Sequence, residues 1–163
     1  LPRLNSELTI TPASGVNSNL VSFVLQNQPA NVPAGSYLLA VQLIRPGETA
    51  PYVSNQLLLK IAPQVTSLTS PPQVFNRDGE ETATVTLTCT PQVRPAQRVS
   101  LILGSREVIA DDHPTTTPNL SFTMRNAPVG THHVRLRVDG VDSQLVNRAA
   151  SPPEFFDQRI GIA

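Results

Sequence analysis

Tryptophan is absent from this chain, and aromatic residues make up only 4% of it. Sugar-binding clefts and single-strand nucleic-acid platforms stack rings on their ligands, so this composition speaks against both. There is no charge excess either, with 12 Lys and Arg against 12 Asp and Glu. A nucleic-acid binder needs a basic surface to displace counterions, so no nucleic-acid partner is expected. No apolar run approaches the roughly 18 residues that cross a bilayer, so no membrane span is expected. The opening Leu1-Pro2-Arg3-Leu4-Asn5 does not read as a signal peptide. Cys89 is the single cysteine, which precludes a disulfide within these residues. That usage leans toward a reducing compartment, or toward a bacterial protein that never relied on disulfides.

Signatures of chemistry are missing as well. The sequence has no Gly-x-Ser-x-Gly elbow and no Gly-Lys-Ser/Thr loop to cradle phosphate. Asp111-Asp112-His113 are consecutive and precede Pro114. A metal site gathers three or four ligands, usually from separate elements, so this triplet reads as an acidic turn. His132 and His133 fall on opposite faces of a strand and cannot chelate one ion together. Asp78, Glu80 and Glu81 around Gly79 read as a solvated turn, with a calcium loop as the rival. Cys89 lies on the inner face of its strand, where a thiol behaves as a small inert hydrophobe. With no converging set of ionisable groups, we expect no enzymatic activity, no cofactor and no bound metal. A small-molecule ligand is not expected.

What the sequence does contain is alternation. From Thr82 to Thr90 every second residue is threonine, with Ala83, Val85, Leu87 and Cys89 between them. A strand sends these two sets to opposite faces, one to a core and one to water. In Thr131–Val138 the inner set is His132, Val134, Leu136 and Val138, while His133, Arg135 and Arg137 face outward. Further strand-like runs are Leu20–Leu25, Ser36–Ile44, Ser54–Ile61, Arg98–Leu103, Arg106–Ile109 and Leu120–Met124. Breaks separate them at Asn27-Gln28-Pro29, Arg45-Pro46-Gly47, Pro71-Pro72, Arg94-Pro95, His113-Pro114 and Pro152-Pro153. Many short strands at even spacing predict an all-β sandwich or barrel. The expected core joins the inner face of Thr82–Thr90 to Val99, Leu101, Phe122, Val134, Leu136 and Val138.

An internal repeat refines this. Val21–Pro29 aligns with Leu120–Pro128, Ser22 and Ser121 lying 99 residues apart. After a short gap, Gly35–Leu43 aligns with Gly130–Val138, and each copy then reaches a last strand, Ser54–Ile61 or Ser143–Asn147. The period matches one immunoglobulin-like module. The fold expected is therefore tandem Ig-like β-sandwich modules: a partial one at 1–64 and a complete one at 65–163, linked at Ala62-Pro63-Gln64-Val65. Tyr37 and its counterpart His132 stand where many sandwiches place a residue that bonds back to the preceding corner. The first copy lacks a counterpart of Thr82–Thr90, so Phe23, Leu39 and Val41 are expected to be uncovered. Upstream residues of a longer parent are the favoured source of the missing strands; the alternatives are donation by another chain through strand addition and packing of the remaining strands against the second module.

One segment resembles a known family. His133-Val134-Arg135-Leu136-Arg137-Val138-Asp139-Gly140-Val141-Asp142-Ser143-Gln144-Leu145-Val146 and Ser151-Pro152-Pro153-Glu154-Phe155-Phe156-Asp157-Gln158-Arg159-Ile160 resemble the carboxy-terminal end of tail-terminator, or cap, proteins of bacterial extracellular contractile injection systems. Val93–Val99 and Leu103–Val108 fit the same pattern, so the resemblance spans about Val74 to Ile162. It implies accessory Ig-like domains behind a terminator domain that is not visible here. It also implies protein partners, either subunits of a phage-tail-like particle or a cell-envelope component. Assembly would take place in the bacterial cytoplasm, into a particle released or attached to the envelope. The outward arginines Arg135 and Arg137, with Arg148, are the candidate partner contacts. A plainly solvated sheet face is the rival reading for them. For the whole chain the alternatives are an Ig-like adhesion or carbohydrate-recognition module of a surface protein, and a non-catalytic domain of a secreted hydrolase.

Overall fold

In a computed structural model the described residues are 8–14, 17, 19–25, 32–69, 73–77 and 80–162, with 73–77, 80 and 81 described by backbone alone. Regular structure among them is entirely β. The turns expected at Asn27-Gln28-Pro29, Pro71-Pro72 and Asp78-Gly79 lie outside the described residues.

The alternating threonine run becomes the long strand β7 (Glu80–Val93). On one edge it pairs antiparallel with β10 (Thr117–Arg125), Phe122 opposite Val85. Its other edge takes β5 (Gln64–Leu68) toward one end. β6 (Gln73–Arg77) pairs with Glu80–Thr84, a stretch whose first edge β10 already holds, so it shares the edge of β5. A second sheet is built on β11 (Gly130–Val138). Its Val134–Val138 half pairs with β8 (Val99–Leu103), which pairs in turn with β9 (Arg106–Ile109). Across β11 lie two short strands, β12 (Val141–Asp142) and β15 (Arg159–Ile162). Between them the chain leaves the sheet and forms a small hairpin from β13 (Val146–Asn147) and β14 (Glu154–Phe155). The last strand expected at Ser143–Asn147 is thus displaced to β15. Only Val141–Ser143 stays on the β11 edge, Ser143 N–H donating to Leu136 O at 2.7 Å.

The two sheets enclose one core, a sandwich-like arrangement. Val65, Val85, Leu87, Cys89, Leu120, Phe122 and Met124 meet Val99, Leu101, Leu103, Val134, Leu136, Val138, Ile160 and Ile162. Every residue expected in the core is buried, Ala83 included. The alternation was sufficient on β7, β10 and β11, which are covered mainly on one face, whereas β8 is buried at every position. The Asp139-Gly140 turn has φ of 48° and 81°, the positive values that a two-residue hairpin turn requires. It places Val138 opposite Val141 and Arg137 opposite Asp142.

Residues 32–61 form a second, thinner body. β1 (Gly35–Leu39) pairs with β4 (Leu57–Ile61), and β2 (Gln42–Leu43) pairs with β3 (Tyr52–Val53). This long hairpin reproduces the β11–β12–β15 edge in detail. Gly35 faces Ile61 as Gly130 faces Ile162, and Tyr37 faces Leu59 as His132 faces Ile160. Tyr37 Oη donates to Pro33 O at 2.5 Å, and a ring nitrogen of His132 lies 3.1 Å from Pro128 O. Val41 N–H donates to Ser54 Oγ at 2.9 Å, as Leu136 N–H does to Ser143 Oγ at 3.0 Å. Gly35 and Gly130 both have positive φ. The corner residues behave as expected, but the offset is 95 residues through the corner: Pro33, not Pro29, stands where Pro128 stands. Leu20–Leu25, expected as a strand, forms none. Asn17 Oδ1 accepts from the N–H groups of Asn19 and Leu20 and turns the chain there, leaving only an isolated Asn17–Leu20 bridge.

The bodies meet at Val32-Pro33-Ala34, which is buried. Gln97 bolts the junction. Its amide donates to Ala34 O at 2.8 Å and to Asp139 Oδ2 at 2.9 Å, while its carbonyl accepts from Arg94 N–H at 3.0 Å.

The inner face of β11 dictates a stability outcome. Leu136→Ala should cost about 2–5 kcal/mol in chemical denaturation, because the lost packing leaves a cavity between two sheets. A loss below about 0.5 kcal/mol, the scale of a surface change, would show that Leu136 does not face the core.

Candidate interaction surfaces

The outer face of the β11 sheet carries the predicted arginines. Arg137 grips Asp142 with two bonds, Nε to Oδ1 at 2.5 Å and Nη2 to Oδ2 at 3.1 Å. Its Nη1 reaches Glu107 Oε2 at 3.1 Å. Arg135 Nη1 lies 3.2 Å from Asp142 Oδ2. Glu107 Oε1 accepts from Ser100 Oγ at 2.6 Å. The hydrogen bond from Arg137 holds the Asp142 carboxyl below its usual range, helped by the charges of Arg137, Arg135 and Lys60 and opposed by partial burial. Ser100 first, then Arg137 and Arg98, hold the Glu107 carboxyl down as well.

The structure therefore brings Arg135 and Arg137 together, but with Asp142 and Glu107 interleaved. Two cations and two anions cancel, so an acidic partner would have to displace carboxylates already seated. Arg148 is exposed just beyond β13, off this network, and forms no ion pair with a described residue. Asp142, Glu107 and Ser100 were the residues sequence reasoning missed. Asp142 was recoverable, since an Asp-Gly two-residue turn sets Arg137 opposite it. Glu107 and Ser100 needed the β8–β9 and β8–β11 registers.

The opposite sheet presents a hydroxyl-covered face. Thr66 and Ser67 hydroxyls lie 2.7 and 2.6 Å from Thr88 Oγ1, and Thr86 Oγ1 donates to Thr69 Oγ1 at 2.8 Å. These groups satisfy one another. Asp111 is not part of a metal cluster: its carboxylate accepts from Thr123 Oγ1 at 3.0 Å and from Thr123 N–H at 3.3 Å. It thereby blocks the free edge of β10. Among the described residues no group of three or more His, Cys, Asp and Glu side chains could hold a metal. Among the described residues no helix is long and apolar enough to cross a membrane. A shallow hollow of about 260 Å³ lies over the excursion, lined by His133, Phe155, Phe156, Asp157 and Arg159. Its floor is the tilted ring contact of His133 with Phe155, centroids 5.3 Å apart.

The third surface is apolar. On the β1–β4 hairpin Leu38, Val41, Leu43, Tyr52, Val53, Leu57 and Leu58 are all exposed, and Phe23 of the preceding segment is exposed too. Phe23 and Val41 were expected to be uncovered, and Leu39 is half-buried. By strand parity Val41, Leu43, Tyr52 and Leu57 share one face and Leu38, Val53 and Leu58 the other, so the hairpin exposes apolar side chains on both faces.

The fold is that of an all-β, sandwich-like protein. The chain belongs to the DUF8756 family, a domain of unknown function, whose model matches residues 63–160. That match begins just before β5 and ends within β15. No curated protein and no solved structure matches the chain.

Two measurements follow from the ionisable groups. Burial pushes the Cys89 thiol up to about 11, so native protein at pH 8 should leave a thiol reagent unreacted until denaturant is added. Immediate stoichiometric labelling of the native chain would refute this placement. The Asp142 carboxyl is held low in the folded state, so its stabilising effect is present above the ordinary carboxylate range and lost as pH falls through its folded value. Asp142→Asn should lower the melting midpoint at neutral pH and reduce its further fall on acidification. An unchanged acid limb would mean that this carboxyl contributes nothing.

Proposed function

We propose that this chain is a non-catalytic assembly region, working by protein–protein contact in the cap, or tail-terminator, protein of a bacterial contractile injection system. The observation that carries the contact role is the set of apolar side chains that the β1–β4 hairpin exposes, Val41, Leu43, Tyr52 and Leu57 on one face and Leu38, Val53 and Leu58 on the other. The likeness of residues 133–160 to the carboxy-terminal end of such cap proteins supports the narrower assignment.

The reading includes tandem Ig-like units, the first incomplete. Its support is the pair of hairpins with the same register, the same corner bond to a proline carbonyl and the same serine clamp. The order β10–β7–β5 against β9–β8–β11–β15 is that of a sandwich whose strands exchange between sheets. In this role the second unit supplies a stable body, and the first supplies the contact.

Labelling decides the matter. Tail-like particles from a cell that encodes this chain should bind an antibody against residues 63–160 at one end of the tube only. Particles without label, or labelled along the sheath, would overturn the cap assignment.

A further inference from the structure

The repeat places one strand in two environments. Leu39, Val41 and Leu43 stand 95 residues before Val134, Leu136 and Val138. The latter three are fully buried at 0% exposure, whereas Val41 is 46% and Leu43 57% exposed. In the second unit β8 takes the far edge of β11, and β7 lies across the inner face. Among the described residues nothing pairs with the far edge of β1 and β2.

That edge carries neither charge nor proline, although the registers of β1–β4 and β2–β3 differ by one residue, a bulge on the partner strand between Ser54 and Leu57. Val41 exchanges both of its backbone bonds with Ser54, N–H to Ser54 Oγ and C=O to Ser54 N–H. Alternation then points the N–H and C=O groups of Ala40 and Gln42 to the open side. No charged residue and no proline occurs from Ser36 to Ile44. Natural sheets blunt exposed edges with charge, proline or a bulge that turns the edge away. The β10 edge has Asp111 for this purpose.

We propose that this edge and face receive a two-strand segment of a partner polypeptide, the counterpart of β7–β8. One strand, uncharged and apolar at alternate positions, adds antiparallel along Leu39–Leu43. The other crosses the inner face over Leu39, Val41 and Leu57. Main-chain bonds to Ala40 and Gln42 supply affinity, and the alternate apolar side chains supply register, as in strand addition to other open sheets. A second copy pairing edge to edge about a two-fold axis would extend the sheet but leave the apolar face bare. The covering seen in the second unit therefore favours a partner segment. This deepens the contact role proposed above and is independent of the cap assignment, because its test uses the purified chain alone.

The probe is a synthetic peptide of residues 82–103, offered to the whole chain at low concentration. Amide exchange at Ala40 and Gln42 should be fast in the free chain and slow by about tenfold or more when peptide is in excess, with Val134–Val138 unchanged. Val41→Asp should abolish the protection without altering exchange in β11. Three results would overturn the proposal: amides already protected in the free, dilute chain; protection that grows with chain concentration alone, which assigns the edge to a second copy; and no protection, or protection confined to β11, with peptide present.

Discussion

β11 is held from three directions, and the arrangement of the larger body follows from that. β8 takes one edge, β12 and β15 divide the other, and Val134, Leu136 and Val138 point into the core against β7 and β10. A strand so enclosed has no register to slip into, because a one-residue shift would turn the arginines inward and the aliphatics to solvent. The outward residues inherit fixed positions from this. Arg135 and Arg137 stand side by side because they alternate with the buried set, and Asp142 meets them because the Asp139-Gly140 turn folds β12 back at fixed register. Exposed ion pairs contribute little to stability singly. The network is better understood as a consequence of the register than as its cause.

The same physics explains the thinner body by contrast. Residues 35–61 have the hairpin, the positive-φ glycine, the corner bond and the serine clamp of their counterpart, yet among the described residues no second sheet covers them. An isolated two-stranded hairpin is marginal in water. Here it is anchored at one end, where Gln97 ties Ala34 to Asp139 and Pro33 is buried. Tyr37 works at that anchor: burial raises its hydroxyl pKa, modulated by the nearby Arg94 and Asp139 charges. On the face that they share, Leu39 is half-buried and Val41 and Leu43 farther from the anchor are exposed. A firmly held base and a bare tip suit a strand kept in place for something else to cover.

Much of this was legible in the residues. Period-two alternation identified the inner faces of β7 and β11, since a sheet buried on one face writes that burial directly into sequence. Gly35 with Tyr37 and Gly130 with His132 marked the two corners. Errors arose where local pattern and pairing part company. Leu20–Leu25 is apolar enough for a strand, but a strand exists only if a neighbour takes its backbone bonds, and Asn17 diverts the chain instead. Ser143–Asn147 looked like a closing strand because its opening serine matches Ser54. The excursion through β13 and β14 delays the true closing strand to Arg159–Ile162.

The arginine stripe shows the division most clearly. By itself the sequence determined that Arg135 and Arg137 face water, because side-chain direction along a strand depends only on parity. It determined in the same way that Cys89 is interior and that one hairpin occurs twice. Whether those arginines are available to a partner was decided by tertiary structure alone. Glu107 reaches Arg137 only through the pairing of β8 with both β9 and β11. Likewise the inward positions Leu39, Val41 and Leu43 are as apolar as Val134, Leu136 and Val138. One stretch is bare and the other sealed because burial is set by what packs across a strand, and residues distant in sequence supply that.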